Sequence, residues 1–350
     1  MNKWVRKDLL HFRPYHAPVK AYEIKVDANE NPFCYQEEFL EHMRNWMEDK
    51  DHITRYPDTD SQELRLAIAK VYDVKSTNVI CGVGSDQIID SIMKVFLEPH
   101  DKVLVPNPSF SMYGQSALLN HGQVIEFELD EEFNYCIDEL IVRIEEEQPK
   151  ILFLCTPNNP TGNILKREEI LRILNHVDFP VVVDEAYAEF TEDSVIDLIS
   201  AYPNLIVLRT FSKAFGLAGL RTGYAVACEE MIDTLYIAKP PYNLSAYSQE
   251  ASLFVLSKYD EYMEQTLLLQ KLRDEFYEAL KSIKGITKVY PSHGNFILIR
   301  LGDQALLERL SQNQILIRDY PPSGRLAGCI RLSVGTKDEN NRILGILREV

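Results

Sequence analysis

The sequence RTFSKAFGLAGLRTGY occupies residues 209–224 and follows directly on the apolar run Leu205–Leu208. It contains one lysine, Lys213, with hydroxyl residues before it, glycines after it and an arginine, Arg221, eight positions further on. An isolated lysine is usually a solvated surface group. This one lies in a neutral loop between core elements, where loss of water and a nearby cation would lower its pKa and make it a nucleophile. We therefore predict that Lys213 reacts with a ligand at the end of a buried strand.

Seven short apolar runs alternate with amphipathic segments between about residues 54 and 239. Strands rich in Val, Ile and Leu that alternate with helices form mostly parallel sheets with both faces covered. We therefore predict a large α/β domain with a seven-stranded, mostly parallel sheet covered by helices. The predicted strands are Val79–Cys81, Val103–Val105, Val124–Phe127, Ile151–Cys155, Val181–Val183, Leu205–Leu208 and Gly223–Cys228.

Three segments have the pattern of helices. In Ser61–Tyr72, apolar residues recur at i, i+3, i+4 and i+7, which predicts one buried face. Asp86–Phe96 follows Ser85, a residue type that favours the N-cap position. Ala246–Ile283 predicts one long helical region with charges scattered among apolar positions.

The pattern changes near Pro240-Pro241, where we place a domain boundary. Residues 1–45 are expected to form an N-terminal arm and a small-domain or interface segment, irregular over the first 30 residues. Residues 46–240 are expected to form the large domain, and 241–350 a long connecting helix and a small α+β domain. The predicted elements of that small domain are the strands Asn295–Leu301, Gln314–Arg318 and Cys329–Val334, and helices from about Ala305 to Gln312 and from about Asp338 onward.

Composition excludes several classes of protein. A net charge of −16 argues against a nucleic-acid-binding protein, which needs a basic face. No apolar run approaches the ~20 residues of a membrane-spanning helix, and the N-terminus lacks the apolar stretch of a signal peptide. The six cysteines are scattered without a C-x-x-C pair, which favours buried free thiols over a disulfide or metal set. We therefore expect a cytoplasmic protein without nucleic-acid, membrane or metal partners.

Polar residues gather at the carboxyl ends of three predicted strands, where ligand sites of open α/β sheets lie. Residues 82–86, GVGSD, form a turn that opens a helix and could offer backbone N–H groups to a phosphate. Residues 156–162, TPNNPTG, place paired asparagines after a strand. Asp184 and Tyr187 follow three valines, and an acid there must be paired, metal-bound or functional. A reverse turn or a helix N-cap would explain each motif separately, so none of them is specific alone.

Residues 212–223, SKAFGLAGLRTG, resemble the lysine signature of fold-type I pyridoxal-phosphate enzymes. The NNPTG turn and the DEAY segment precede it in that family's order, and the resemblance spans most of the chain. It implies a fold-type I PLP-transferase: a large domain with a seven-stranded sheet, a smaller α+β domain, aminotransferase activity and pyridoxal 5′-phosphate as the cofactor.

The resemblance also implies a role for each residue that matches a motif. Lys213 is similar to the lysine that carries the cofactor as a Schiff base and then acts as general base. Asp184 would pair with the pyridinium nitrogen, Asn159 and Tyr187 would bond the phenolic oxygen, and Phe110 would stack on the ring. The residues implied to hold the phosphate are Ser85, Asp86, Thr210, Ser212, Arg221 and Tyr56. Tyr56 would come from a second subunit, so the resemblance implies a homodimer.

Within this superfamily the sequence is most similar to the histidinol-phosphate aminotransferases. The motifs that carry this likeness are DANENP at 27–32, RYPD at 55–58, and RD at 318–319 with GCIRLSVGT at 328–336. Such enzymes transfer the amino group of glutamate, leaving 2-oxoglutarate, and convert imidazole-acetol phosphate to histidinol phosphate.

Arginines are implied to bind the substrate, since their fork of donors suits carboxylates and phosphates. Arg331 matches the arginine for the α-carboxylate, and Arg318 the arginine associated with the substrate phosphate. Tyr15 resembles an N-terminal tyrosine that closes over the substrate. Asn159 is implied to contact the substrate as well as the cofactor. Each of the first three could instead be an ordinary surface residue.

The chain departs from the family's pattern at Gln87, where glutamate is more common, and at residues 33–35. These changes leave room for an aromatic-amino-acid transaminase or a threonine-phosphate decarboxylase on the same scaffold. A nucleotide-binding dehydrogenase would need a third glycine after Gly82 and Gly84, and the sequence has none there. A non-catalytic cofactor-binding regulator would need a DNA-binding extension.

Overall fold

The computed structural model describes residues 3–10, 12, 21–33, 37–191 and 193–349, which form two β-sheets with packed helices. The strands are β1 (Ile24–Val26), β2 (Val79–Val83), β3 (Lys102–Asn107), β4 (Gln123–Glu128), β5 (Ile151–Cys155), β6 (Val181–Asp184), β7 (Leu205–Thr210), β8 (Thr222–Ala227), β9 (Ile286–Val289), β10 (Phe296–Leu301), β11 (Ile315–Asp319) and β12 (Cys329–Ser333). The helices are α1 (Glu37–Trp46), α2 (Asp51–Thr54), α3 (Gln62–Tyr72), α4 (Gly84–Phe96), α5 (Met112–Leu119), α6 (Ile137–Glu147), α7 (Arg167–Leu174), α8 (Glu229–Tyr236), α9 (Ala246–Ser257), α10 (Tyr259–Leu280), α11 (Ala305–Gln312) and α12 (Lys337–Arg348). Short 3₁₀ turns occupy Lys7–Leu9, Ser76–Asn78, Ala188–Phe190, Ile196–Ser200 and Ala218–Leu220.

The larger sheet has seven strands in the order β2-β8-β7-β6-β5-β3-β4. Its neighbouring pairs are parallel except where β8 lies between β2 and β7, antiparallel to both. The prediction of a seven-stranded, mostly parallel sheet is therefore confirmed, with strand ends shifted by a few residues. Because the central strands are parallel, their carboxyl ends meet at one edge of the sheet.

Both faces of this sheet are covered, as the runs of consecutive apolar residues predicted. Along β6, Val181 and Val183 belong to one core cluster with residues of α3, α6 and α7, while Val182 belongs to a second cluster with residues of α4 and α5. All three valines are fully buried. Successive side chains point to opposite faces of a strand, so an unbroken apolar run requires a core on each side.

The smaller sheet has the order β1-β11-β12-β10-β9 and packs against helices α10, α11 and α12 in a third core cluster. Its first strand comes from the N-terminal segment, and pairs in parallel with β11. The predicted irregular N-terminus is therefore wrong for Ile24–Val26, because a three-residue strand carries too short a pattern to recognise. The domain limits at 45/46 and 240/241 stay a prediction.

Two predictions about helices are also wrong. Ser85 is not an N-cap: Gly84, at φ +69°, makes the turn from strand to helix, so Ser85 lies within the first turn of α4. The region 246–283 is two helices, since the backbone leaves helical geometry at Lys258 (φ −113°, ψ 26°) without a proline or glycine to announce it. Among the described helices none combines the length and apolar character needed to cross a membrane.

Candidate active site

A cavity of about 650 Å³ opens where the carboxyl ends of the large sheet's strands face the smaller sheet. It collects most of the residues that the sequence motifs singled out, although they are spread over nearly 250 positions of the chain. The predicted site residues that line it are Ser85, Asp86, Phe110, Asn159, Asp184, Tyr187, Thr210, Ser212, Lys213, Arg221, Arg318 and Arg331. The convergence of strand ends therefore builds one site from separate motifs.

Lys213 lies in the loop after β7, and its amine donates a hydrogen bond of 2.9 Å to the backbone carbonyl of Ala28. The amine also lies 5.6 Å from the ring centre of Tyr187. Burial, aided by the positive charge of Arg331, lowers the pKa of Lys213 to about 8. Roughly a tenth of the amine is then neutral at pH 7, so it can act as nucleophile and base.

Asp184 ends β6 as a buried carboxylate that faces the cavity. One oxygen accepts a 2.6 Å hydrogen bond from the Tyr113 hydroxyl, and the other accepts from the Ala186 backbone N–H at 3.0 Å. Burial raises the pKa of Asp184 to about 6, although the Tyr113 bond opposes the rise. A buried carboxylate in this state favours a cationic partner, such as a protonated ring nitrogen.

Two other polar groups approach the cavity from β5 and β6. The Tyr187 hydroxyl accepts a 2.9 Å hydrogen bond from the Asn29 side-chain amide. The Asn159 side-chain oxygen accepts a hydrogen bond from Arg331, and the amide NH₂ of Asn159 donates to no group of the described residues, so it can donate to a ligand. Tyr187 and Asn159 can therefore both donate to an anionic oxygen between them.

The start of α4 lies beside the loop after β7, and together they present groups that can bind an anion. Arg221 donates to Ser212 Oγ at 3.4 Å and forms an ion pair of 3.0 Å with Asp86. Gly223 is required here, because a Cβ at that position would lie 2.4 Å from the Ser85 backbone nitrogen. Hydroxyls, helix N–H groups and a guanidinium around one space fit a phosphate.

Phe110 and Tyr56 occupy very different environments. Phe110 lines the cavity and packs edge-to-face on Tyr113, with ring centres 5.5 Å apart. Tyr56 is 81% exposed, stacks on Tyr242 and does not border the cavity of its own chain. Tyr15 lies outside the described residues.

Arg318 and Arg331 are brought together by the smaller sheet, where they are register partners on β11 and β12. Arg331 is only 8% exposed and donates to the Asp27 carbonyl at 2.6 Å. Its Nε atom has no hydrogen-bond partner within the described part of the chain. A buried unused donor in a cavity wall indicates a place for an anionic ligand.

The second acid of the DEAY segment has a structural role. Glu185 forms a buried ion pair of 2.7 Å with Arg209, which also contacts Glu189 at 2.9 Å. This pair joins the ends of β6 and β7, the strands that carry Asp184 and the Lys213 loop. It therefore helps to hold the two strand ends in register.

Sequence reasoning missed two residues of the site, Tyr113 and Asn29. Tyr113 lies three positions after Phe110 and reads as an ordinary buried aromatic of α5; the structure alone reveals its bond to Asp184. Asn29 belongs to the DANENP motif, which carried the family resemblance but no residue role. Both act from distant parts of the chain, so spacing gave no signal.

Comparison with known proteins identifies similar chains over almost the full length. The family model for aminotransferases of class I and II matches residues 23–347. The histidinol-phosphate aminotransferase of Ruminiclostridium cellulolyticum is 41% identical over 348 residues, which are 98% of this chain and 97% of that protein.

Solved structures share the fold. Histidinol-phosphate aminotransferase from Sinorhizobium meliloti, in complex with pyridoxal-5′-phosphate, is 24% identical with a TM-score of 0.86, covering 94% of this chain and 91% of that one. L-threonine-O-3-phosphate decarboxylase from Porphyromonas gingivalis is 26% identical with a TM-score of 0.81, covering 93% and 98%. The architecture described above is therefore common to enzymes of more than one reaction type.

Proposed function

The chain belongs to the class I and II aminotransferases, and we propose that it transfers the amino group of L-glutamate to imidazole-acetol phosphate. The products are 2-oxoglutarate and L-histidinol phosphate, the forward step in histidine biosynthesis. The observation that carries the substrate assignment is the pairing of Arg318 with Arg331 at the cavity wall. One substrate with a carboxylate and another with a phosphate both find a cationic partner there.

Pyridoxal 5′-phosphate is the cofactor, and when bound it supplies an electron sink for negative charge at the substrate's reacting carbon. We propose that Lys213 holds it covalently and that Asp184 faces its ring nitrogen. Asn159 and Tyr187 would donate to its phenolic oxygen, and Phe110 would cover one ring face. The residues proposed for its phosphate are Ser85, Asp86, Thr210, Ser212 and Arg221, with Tyr56 from a second subunit.

Lys213 would also move the protons of the reaction. Its lowered pKa, about 8, would allow the Nζ atom to move the proton between the substrate α-carbon and C4′ of the cofactor, away from glutamate in the first half-reaction and back to the keto substrate in the second. Arg331 would bind the glutamate α-carboxylate, and Arg318 the phosphate of the second substrate. Tyr15 is proposed to close over the substrate from the N-terminal segment.

A half-reaction screen tests the proposal. Cofactor-loaded protein is mixed separately with L-histidinol phosphate, phenylalanine, tyrosine, aspartate and glutamate, and loss of the visible cofactor absorbance is followed. We expect rapid loss with histidinol phosphate and glutamate. Rapid loss with phenylalanine and none with histidinol phosphate would contradict the substrate assignment and favour an aromatic-amino-acid transaminase.

A threonine-phosphate decarboxylase is the second candidate, because the Porphyromonas gingivalis decarboxylase has the same fold at 26% identity. It too would need an anion site for a phosphate. The two are separated by offering threonine phosphate and measuring carbon dioxide. Release of carbon dioxide without any need for 2-oxoglutarate would favour the decarboxylase.

We also propose that the enzyme is a cytoplasmic homodimer. The exposed Tyr56 and Tyr242, stacked with ring centres 4.5 Å apart, support an aromatic contact surface on this side of the molecule. Cys81, Cys155 and Cys329 are buried free thiols, which suits a reducing compartment. Sedimentation of the cofactor-loaded protein measures the oligomeric state.

A further inference from the structure

Asn29 is fully buried in the segment after β1, where it contacts Ser333 on β12 and Tyr187 after β6. Its backbone has a φ of +55°, in the left-handed region that asparagine adopts more readily than most residues. The neighbouring carbonyls of this segment also contact the site: Ala28 accepts from Lys213, and Asp27 from Arg331. A buried polar side chain in this conformation indicates a specific hydrogen-bonding task.

The side chain of Asn29 links the smaller sheet to Tyr187. Ser333, at the end of β12, accepts a 2.7 Å hydrogen bond from the Asn29 backbone N–H and donates to its Oδ1 at 3.2 Å. Because Oδ1 faces Ser333, the amide NH₂ faces Tyr187 and donates to its hydroxyl at 2.9 Å. Ser333 therefore sets the orientation of the amide.

This arrangement leaves the hydrogen of the Tyr187 hydroxyl available. A phenol has one hydrogen to donate, and it can accept as well. Here Asn29 occupies an acceptor position, and within the described ranges the phenol donates to no protein group. Tyr187 borders the cavity, so its hydrogen can be given to a ligand there.

We propose that Asn29 is a positioning residue that directs the Tyr187 hydroxyl to donate to the phenolic oxygen of the bound cofactor. This role rests on the proposed function, and it concerns a residue to which the family resemblance assigned no role.

The test is Asn29→Asp, which keeps the shape of the side chain but replaces the NH₂ donor with an acceptor. Tyr187 would then donate to the carboxylate and lose its bond to the cofactor. The readout is the pH at which the visible absorbance of the cofactor-loaded protein changes. A new negative charge also shifts this pH by itself, so the same change is made in a Tyr187→Phe background, where only the charge effect remains.

We expect the shift caused by Asn29→Asp to be about one pH unit larger with Tyr187 present than in the Tyr187→Phe background, since one hydrogen bond to a charged group is at stake. Equal shifts in the two backgrounds would overturn the inference. Ser333→Ala provides a second variant if Asn29→Asp does not fold: it releases the amide and should give a smaller shift that also disappears without the Tyr187 hydroxyl. An unchanged titration in Ser333→Ala would count against the positioning role.

The outcomes separate the two proposals. If the unaltered protein develops no visible absorbance with pyridoxal 5′-phosphate, the proposed function fails. If the absorbance does develop, the Tyr187→Phe change should shift the pH of the titration. If Asn29→Asp and Ser333→Ala then cause the same shift with Tyr187 as with Phe at position 187, only the role of Asn29 fails. Thermal unfolding of each cofactor-free variant checks that the fold is retained.

Discussion

Arg318 and Arg331 lie directly opposite each other on the antiparallel strands β11 and β12, and both border the same cavity. Residues opposite each other on antiparallel strands share one face of the sheet, where like charges repel. Among the described residues, Arg331 bonds only uncharged oxygens, the side-chain oxygen of Asn159 and the backbone carbonyl of Asp27. The pair therefore favours binding of an anionic ligand, which reduces this repulsion.

Replacing Arg318 by leucine should weaken binding of the phosphate-bearing substrate and spare glutamate. Loss of one charged partner from a phosphate raises KM for histidinol phosphate by about a hundredfold or more. Arg172→Leu, which removes a surface arginine paired with Asp138, is the matched control and should leave KM unchanged. Steady-state kinetics with each substrate measures this, and an equal loss for histidinol phosphate and glutamate would contradict the assignment of Arg318.

The pKa of Lys213 predicts how fast the cofactor-free protein captures pyridoxal 5′-phosphate. Only the neutral amine attacks, and with its pKa lowered to about 8 the neutral fraction rises as pH rises through 8. The capture rate should increase about fivefold from pH 7 to pH 8 and level off above pH 9. Stopped-flow absorbance measures it, with Nα-acetyl-lysine as reference. A rate that still rises tenfold per unit at pH 9 would indicate an ordinary lysine.

Tyr113→Phe should loosen cofactor binding without disturbing the core. The hydroxyl that donates to Asp184 opposes the rise in that residue's pKa, so its removal raises the pKa further above about 6. The Asp184 carboxylate contributes to cofactor binding only when it is ionised. As the pH is lowered, the Tyr113→Phe variant should therefore lose cofactor affinity at a higher pH than the unaltered protein does. Affinity should fall about tenfold near neutral pH.

The control for this prediction is Tyr135→Phe, which removes another buried hydroxyl, one that bonds the Cys155 backbone. Equilibrium titration of the cofactor-free variants at several pH values compares them. If both variants lose the same affinity with the same pH dependence, Tyr113 has no specific effect on Asp184.

Mixing the Tyr56→Ala variant, which should be weakened, with the Lys213→Ala variant, which should be inactive, tests whether Tyr56 acts across subunits. In a heterodimer of the two variants, one site has Lys213 from the Tyr56→Ala chain and Tyr56 from the Lys213→Ala chain, so it is intact. The other site lacks both residues. After equal mixing and re-equilibration, about a quarter of all sites should be intact and activity should recover accordingly. Lys213→Ala alone should have no turnover. Activity no higher than the average of the two parents would show that Tyr56 does not complete the partner's site.

The sequence alone determined the larger sheet and the identity of its strand-end residues. Unbroken runs such as Val181–Val183 can be satisfied only by a core on both faces, and local patterns are sufficient to locate them. The Lys213 loop and the arginine at 331 were recognisable because their motifs are contiguous. Short or unmarked features were not: the strand Ile24–Val26 and the break at Lys258 have no distinctive local pattern.

The tertiary structure decided which distant residues support the site. Tyr113 meets Asp184 across 71 positions, and Asn29 meets Tyr187 across 158. Such contacts depend on how helices and sheets pack, and no local periodicity reports them. The lowered pKa of Lys213 likewise depends on burial and on the charge of Arg331, which is 118 positions away in the sequence. Local sequence specifies the reactive groups, whereas their protonation and hydrogen-bond direction arise from long-range packing.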